Sequence, residues 1–252
     1  MAPAYEEYPE FKAVIRAAHR ILHQGVNGGY SSFAPELRIW APSVAAELDG
    51  AFIDNLDEGR GSFVEKLQRQ LTGLSDEAVV LAAELLYLNM LPLSSSQLSP
   101  ERKREIIDEA LALSSRPVQI PEELDEALEG FLLGGQAFLN YRWAQFAFLI
   151  RMAGRLVDDR DGAHGGPSLL SDPWLFRETA LQVITELGLG NRARAQYNVL
   201  LWLAFPQTFE VMASADHKKR IRDAFVGRID APTGDIDRDL AAIRAVLEAE
   251  HD

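Results

Sequence analysis

With 252 residues, 47% hydrophobic, 25% charged and a formal charge of −13, the chain has the composition of a soluble globular protein, too apolar for a disordered tail and long enough to bury a sizeable core. It holds no cysteine, which excludes disulfides and thiolate catalysis and leaves any metal site to five histidines and the carboxylates. A net anion repels phosphate unless its cations are gathered on one surface, so charge in bulk argues against non-specific nucleic-acid binding.

The N-terminus, MAPAYEEYPEFK, lacks the basic start and apolar stretch of a secretory signal, which predicts a cytoplasmic location. From Pro9 to Gln24 the stripe Phe11, Val14, Ile15, Ala18 and Leu22 predicts an amphipathic helix whose other face carries Lys12, Arg16 and Arg20. Gly25 to Ser32 reads as a loop, Ala41 to Asn55 as a helix closed by the acidic turn DEGRG, and Ser62 to Thr72 as a third helix. Ser75, followed by Asp76 and Glu77, suits the free amides at the start of a long apolar helix that Pro92 stops. Glu84 and Asn89 interrupt that run, which is too short and too polar to cross a bilayer. Ser99 and Pro100 restart the chain as a helix to about Ser114.

Residues 116–135, with Pro117, Pro121, Gly130, Gly134 and Gly135 around one short acidic helix, form the natural joint between an N-terminal helical subdomain (1–115) and a C-terminal one (136–252), unless the two are continuous. Beyond the joint, Ala137 to Val157 is so nearly apolar all round that it is expected to be the most buried helix. An exposed loop, DDRDGAHGGP, leads to a helix from Asp172-Pro173 to about Leu187, ended by Gly188 and Gly190. The stretch 193–226 is an apolar helix broken at Phe205-Pro206 and followed by a short basic helix, and Ile236 to Glu250 is a last amphipathic helix. No run of alternating β-branched residues appears, so the fold class is all-α, a multi-helix bundle.

Most chemical motifs fail on inspection. His19 and His23 have zinc-protease spacing, but Arg20 stands where that chemistry needs a glutamate. Gly188-Leu-Gly190-Asn-Arg-Ala193 follows a helix rather than a strand, so no sheet edge would present a pyrophosphate. Asp159, Asp161 and Gly162 suggest a calcium loop, yet Val157 and Ser168 occupy the first and twelfth ligand positions. Glu10-Phe-Lys12 and Glu101-Arg-Lys103 have nuclease-like spacing without the converging carboxylates that metal-dependent cleavage requires. There is no phosphate-binding P-loop and no Gly-x-Ser-x-Gly elbow. No catalytic constellation, cofactor or metal site is therefore expected.

Two features survive. In 215–226, Ile221, Ala224 and Phe225 are expected to face the core, leaving Lys219 and Arg222 outward with Lys218 and Arg220 on the flanks. Such a helix either contacts phosphates or an acidic partner, or pairs internally with some of the 38 acidic residues. The second feature is Gly134 to Trp143, where a glycine pair opens a helix bearing Asn140, Tyr141, Arg142 and Trp143, a candidate pocket for an anion or a nucleobase edge. Arg142 falls on the apolar side and needs a carboxylate or a ligand there.

The succession SFVEKLQRQLTGLSDEAVVLAAELLYLNMLP, ERKREIIDEAL, the Gly/Tyr/Arg/Trp segment with AQFAFLI, LLWLAFPQTFEVMASADHKKRIRDAF and DRDLAAIRAVLEAE resembles the helical region preceding the motor in bacterial AAA+ proteins related to McrB, the motors of modification-dependent restriction. The resemblance covers most of 59–250 and is most specific at LAFP…F…DHKKRI. It implies a non-catalytic recognition or regulatory role; read with the residues, this predicts contact with DNA or a partner through the basic helix, a surface that Lys12, Arg16 and Arg20 extend if they lie beside Lys219 and Arg222. The alternative it leaves open is an assembly module docking on its own motor or a companion subunit, with no nucleic-acid contact.

Overall fold

The apolar run at 76–90 becomes the axis of the molecule. In the computed structural model, which describes residues 9–54, 61–162 and 168–251, helix α4 (Asp76–Met90) is buried from Ala78 to Met90 without a break. A helix with polar side chains only at its start and at Glu84 and Asn89 has no face to give to water, so neighbours enclose it on every side. Before it come α1 (Pro9–His19), α2 (Pro42–Asp49) and α3 (Phe63–Leu71). After it follow α5 (Pro100–Leu111), the short α6 (Glu122–Asp125) and α7 (Gly135–Asn140), then α8 (Arg142–Arg160), α9 (Pro173–Glu186), α10 (Arg194–Ala204), α11 (Ala215–Phe225) and α12 (Ile236–His251). Among the described residues there is no strand, only an isolated parallel bridge between Leu93 and Leu132. The all-α reading is correct.

Capping chemistry starts these helices where the sequence places it. The Ser62 hydroxyl accepts from the Glu65 amide while Glu65 accepts from the Ser62 amide, a reciprocal box. Ser75, Ser99, Asp172 and Ser214 accept from amides in the first turn of α4, α5, α9 and α11. Three local expectations are corrected. The first helix does not stop at Gln24: it widens into a π-turn over Arg20–Gly25 and continues to Gly28. The 137–157 helix is broken at Tyr141 (φ −107°) between α7 and α8. Its rank as the most buried helix passes to α4, because Arg151, Gly154 and Arg155 of α8 are only half-buried and Asp158 is exposed. The turn at 57–60 and the glycine-rich stretch at 163–167 lie outside the described residues.

One hydrophobic cluster runs from Val14 to Ala213 and draws on both sides of the 116–135 segment. That segment is stitched to the turn after α4. Phe131 and Leu132 amides donate to the Pro92 carbonyl at 3.0 and 2.7 Å, and the Ser94 amide donates to Leu132 at 2.9 Å. Lys103, wholly buried, donates its ammonium to the carbonyls of Leu93 and Leu128, and burial lowers its pKa to about 8. Gly130 sits at φ +55°, and a Cβ there would overlap the Leu93 carbonyl oxygen. Gly130→Ala is therefore expected to lower stability by more than about 2 kcal/mol, from left-handed backbone strain plus a backbone clash. Chemical denaturation of the pure protein measures it, and a change within 0.5 kcal/mol, roughly the surface-substitution range, refutes the account.

Candidate functional site

α11 and α12 form a hairpin that sits apart from the main core. The buried apolar residues of α12, Leu240 and Ile243, do not belong to the large cluster, which ends at Ala213. Ionic contacts join the hairpin to the body. Lys218, only 2% exposed, places its ammonium 2.7 Å from Asp237 Oδ1, and Arg177 of α9 binds Asp237 Oδ2 at 2.9 Å and Asp235 at 2.7 Å. Burial alone would raise the Asp237 carboxyl, but Lys218 and Arg177 outweigh it and hold the group below the ordinary carboxylate value. Outside this centre, Arg238 lies over the Trp174 ring at 4.3 Å and Arg244 pairs with Glu210 at 3.5 Å.

The orientation expected for α11 is corrected in part: Lys219 is exposed as expected, but the apolar stripe and Lys218 exchange places. Ile221 and Phe225 are 40% and 41% exposed, while Lys218 is the buried residue of the helix. The physical reason lies in α12, whose Asp237 and Asp239 turn toward α11, so that the face carrying Lys218 and Arg222 is drawn inward. Arg222 binds Asp239 at 2.8 Å and Asp223 at 3.2 Å, and Lys219 pairs with Asp223 one turn on. Of the four cations, Arg220 is exposed and has no carboxylate partner among the described residues.

Of the other predicted cations, Lys12 and Arg16 lie on α1 and Arg20 opens the π-turn after it; α1 packs on α10 and the 126–129 turn, whereas α11 packs on α12 and α10. Lys12 and Arg16 are exposed, with the Arg16 guanidinium donating to the Lys12 carbonyl at 3.4 Å. Arg20 pairs with Glu123 and donates to the Ser32 carbonyl at 3.2 Å. His19 and His23 stack at 4.6 Å, and burial lowers the His23 pKa while its Nε2 lies 3.1 Å from the Ala204 carbonyl. No group of three potential metal-ligating side chains occurs among the described residues.

Around the α7–α8 break, Asn140 is exposed and Tyr141 is 41% exposed. Arg142 and Trp143 turn to different neighbours. Arg142 lies over the Phe63 ring at 5.8 Å, and Trp143 lies under Arg192 at 5.0 Å. Arg142 was expected to need a carboxylate or a ligand; no carboxylate pairs with it among the described residues, and its Nε is buried without an acceptor. Burial, then the like charge of Arg102, lowers its pKa.

Sequence reasoning missed the groove beside α11. Met212, Ile221, Leu240, Ile243 and Leu247 line an apolar trough of about 370 Å³, bordered by Glu210, Arg244 and Glu248. A larger cleft of about 880 Å³ between α5 and the 114–122 segment mixes polar and apolar groups, and the Arg104 guanidinium there is held by both oxygens of Asp125 at 2.7 and 2.9 Å. Comparison with known protein families, curated proteins and solved structures finds no match to the chain.

Proposed function

We propose that the chain is a non-catalytic helical assembly module of a McrB-like defence motor, and that it joins a protein partner, the motor itself or a companion subunit, through the α11–α12 hairpin. The observation that carries this reading is the outward turn of Ile221 and Phe225 beside an open apolar groove. Soluble monomers seldom leave large apolar side chains side by side at such a groove unless something covers them. A nucleic-acid surface needs the opposite arrangement, several free cations in a row that release counterions from phosphate. Here Lys218 is buried, and Lys219 and Arg222 are neutralised by aspartates of their own hairpin.

The test is capture of the full chain by the AAA+ motor and by its companion subunit, run beside retention of modified and unmodified duplex DNA. Ile221→Glu with Phe225→Glu is expected to reduce capture at least tenfold without loss of helicity, and DNA retention is expected to be no greater than for an acidic control protein. Salt-sensitive DNA retention that Lys219→Glu with Arg220→Glu abolishes would overturn the assembly reading in favour of nucleic-acid recognition.

A further inference from the structure

The α11–α12 hairpin has an interior of its own and a charged joint to the body. Inside it, Lys218 meets Asp237 at 2.7 Å, Arg222 meets Asp239 at 2.8 Å, the Thr233 amide and hydroxyl both donate to Asp239 at 2.7 Å, and Leu240 and Ile243 are buried. α12 packs on α11 and the 226–228 turn, while α11 reaches the body at α10. The side-chain links that cross the joint are Arg177 to Asp235 and Asp237, Arg238 over the Trp174 ring and 3.8 Å from Glu178, and Arg244 to Glu210 and to the Gln207 carbonyl at 2.6 Å. The chain enters the hairpin straight after Ala213, which belongs to the main cluster and whose carbonyl accepts from Asn198 of α10 at 2.8 Å. The pivot therefore lies at Ser214, the N-cap of α11.

The docked joint leaves polar groups unsatisfied. The Tyr197 hydroxyl of α10 sits in the field of Asp237, Arg177 and Asp235, buried and without a hydrogen-bond partner. Glu210 Oε1 is buried as well, and Arg244 at 3.5 Å is too distant to bond it. Water satisfies both once the joint opens. Arg177 and Asp235 recover their hydration in the same step, so separation strands no charge, unlike removal of a single partner. We propose that the hairpin is a hinged flap latched by Arg177, swinging as a rigid unit about Ser214 between this docked state and an open one that uncovers Trp174 and Arg177 on α9. The pairs Lys218–Asp237 and Arg222–Asp239 travel with it and keep its two helices together. The swing does not depend on what the hairpin binds, so it stands or falls apart from the assembly reading. A partner of the hairpin shifts the balance toward whichever state it binds more tightly.

Two spin labels on the full chain measure the swing. Gln182→Cys on α9 and Ala245→Cys on α12 are exposed sites, and the chain has no cysteine of its own to compete for label. In pulsed dipolar spectroscopy the docked distance is expected to dominate when no other substitution is present. Arg177→Gln removes the latch without touching the pairs inside the hairpin. It should add a longer distance and raise the ratio of open to docked chains by about tenfold or more, with circular dichroism unchanged. Arg238→Gln, at a half-exposed link, should raise the same ratio by about threefold, which keeps the test decisive if Arg177→Gln folds poorly. Tyr197→Phe has the opposite sign: placed in the Arg177→Gln background, it deletes the unsatisfied hydroxyl and should lower the open fraction by about threefold. One unchanged distance in both latch variants overturns the proposal. So does a longer distance accompanied by loss of helical signal in Arg238→Gln, because the hairpin then melts instead of swinging. An open fraction that Tyr197→Phe raises or leaves unchanged also overturns it, since the docked joint then carries no polar penalty for opening to relieve.

Discussion

Replacing Asp237 with alanine is expected to lower the free energy of unfolding by about 3–5 kcal/mol, the penalty for leaving buried charge without its counter-ion. Two cations depend on this one carboxylate. Lys218 meets Oδ1 at 2.7 Å and Arg177 meets Oδ2 at 2.9 Å, and both side chains are largely out of water. Arg177 keeps Asp235 in the variant, so the uncompensated charge is chiefly that of Lys218. Replacing Lys218 with methionine and Asp237 with leucine together should recover most of the loss, because an apolar pair of similar volume carries no desolvation penalty. A double-mutant cycle by chemical denaturation checks this, and it should return a coupling of roughly 2 kcal/mol or more. Additive single effects would show that the pair does not hold the hairpin. The pH dependence has a definite sign. Asp237 has a folded pKa below its ordinary value, so its contribution is complete above that ordinary value, near 3.8, and is lost as pH falls through the lower folded one.

The inward turn of Lys218 on α11 shows what local periodicity can and cannot supply. Helix positions were legible because their signals are local: Ser62 with Glu65, Ser99 with Pro100 and Asp172 with Pro173 each act within one turn. The inward face of α11 was not, because that choice belongs to another segment. Ile221, Ala224 and Phe225 make a sparse apolar stripe, and Asp237 and Asp239 on α12 outcompete it by drawing Lys218 and Arg222 inward. The acidic stretch Asp235, Asp237 and Asp239 was visible, yet nothing in it says which cations it will meet. Similarly, the π-turn at Arg20–Gly25 and the break at Tyr141 arise from tertiary packing and leave no mark that a 3.6-residue period can register. The groove was illegible for the same reason, since it exists only once the orientation of α11 is known.

Glu84 offers the second large effect, and its sign opposes that of Asp237. It lies wholly buried in the middle of α4, where one oxygen accepts from the Ser31 hydroxyl at 2.7 Å and from the amides of Ser32 and Phe33 at 2.5 and 3.1 Å. The carboxyl thus fastens the 31–33 turn to the central helix. Burial pushes its pKa up to about 7, with the Ser31 hydroxyl and the Phe33 and Ser32 amides acting against that rise. Because the folded pKa exceeds the unfolded one, the protein binds this proton more tightly when folded. The resulting stability is complete below pH 4.5 and disappears as pH rises through about 7. A difference of that size corresponds to about 3 kcal/mol across the window. Glu84→Gln keeps an acceptor for the three donors and removes the titration, so the difference between wild type and variant should drift by that amount in the variant's favour from pH 4.5 to pH 8. Glu84→Ala should be worse than either at every pH, by about 2–5 kcal/mol, because it takes the acceptor from the buried Ser32 amide and the Ser31 hydroxyl and opens a void beside them. Denaturant titrations of the three proteins between pH 4.5 and pH 8 decide the matter. Parallel curves for wild type and Glu84→Gln would mean that the carboxyl stays ionised inside the fold.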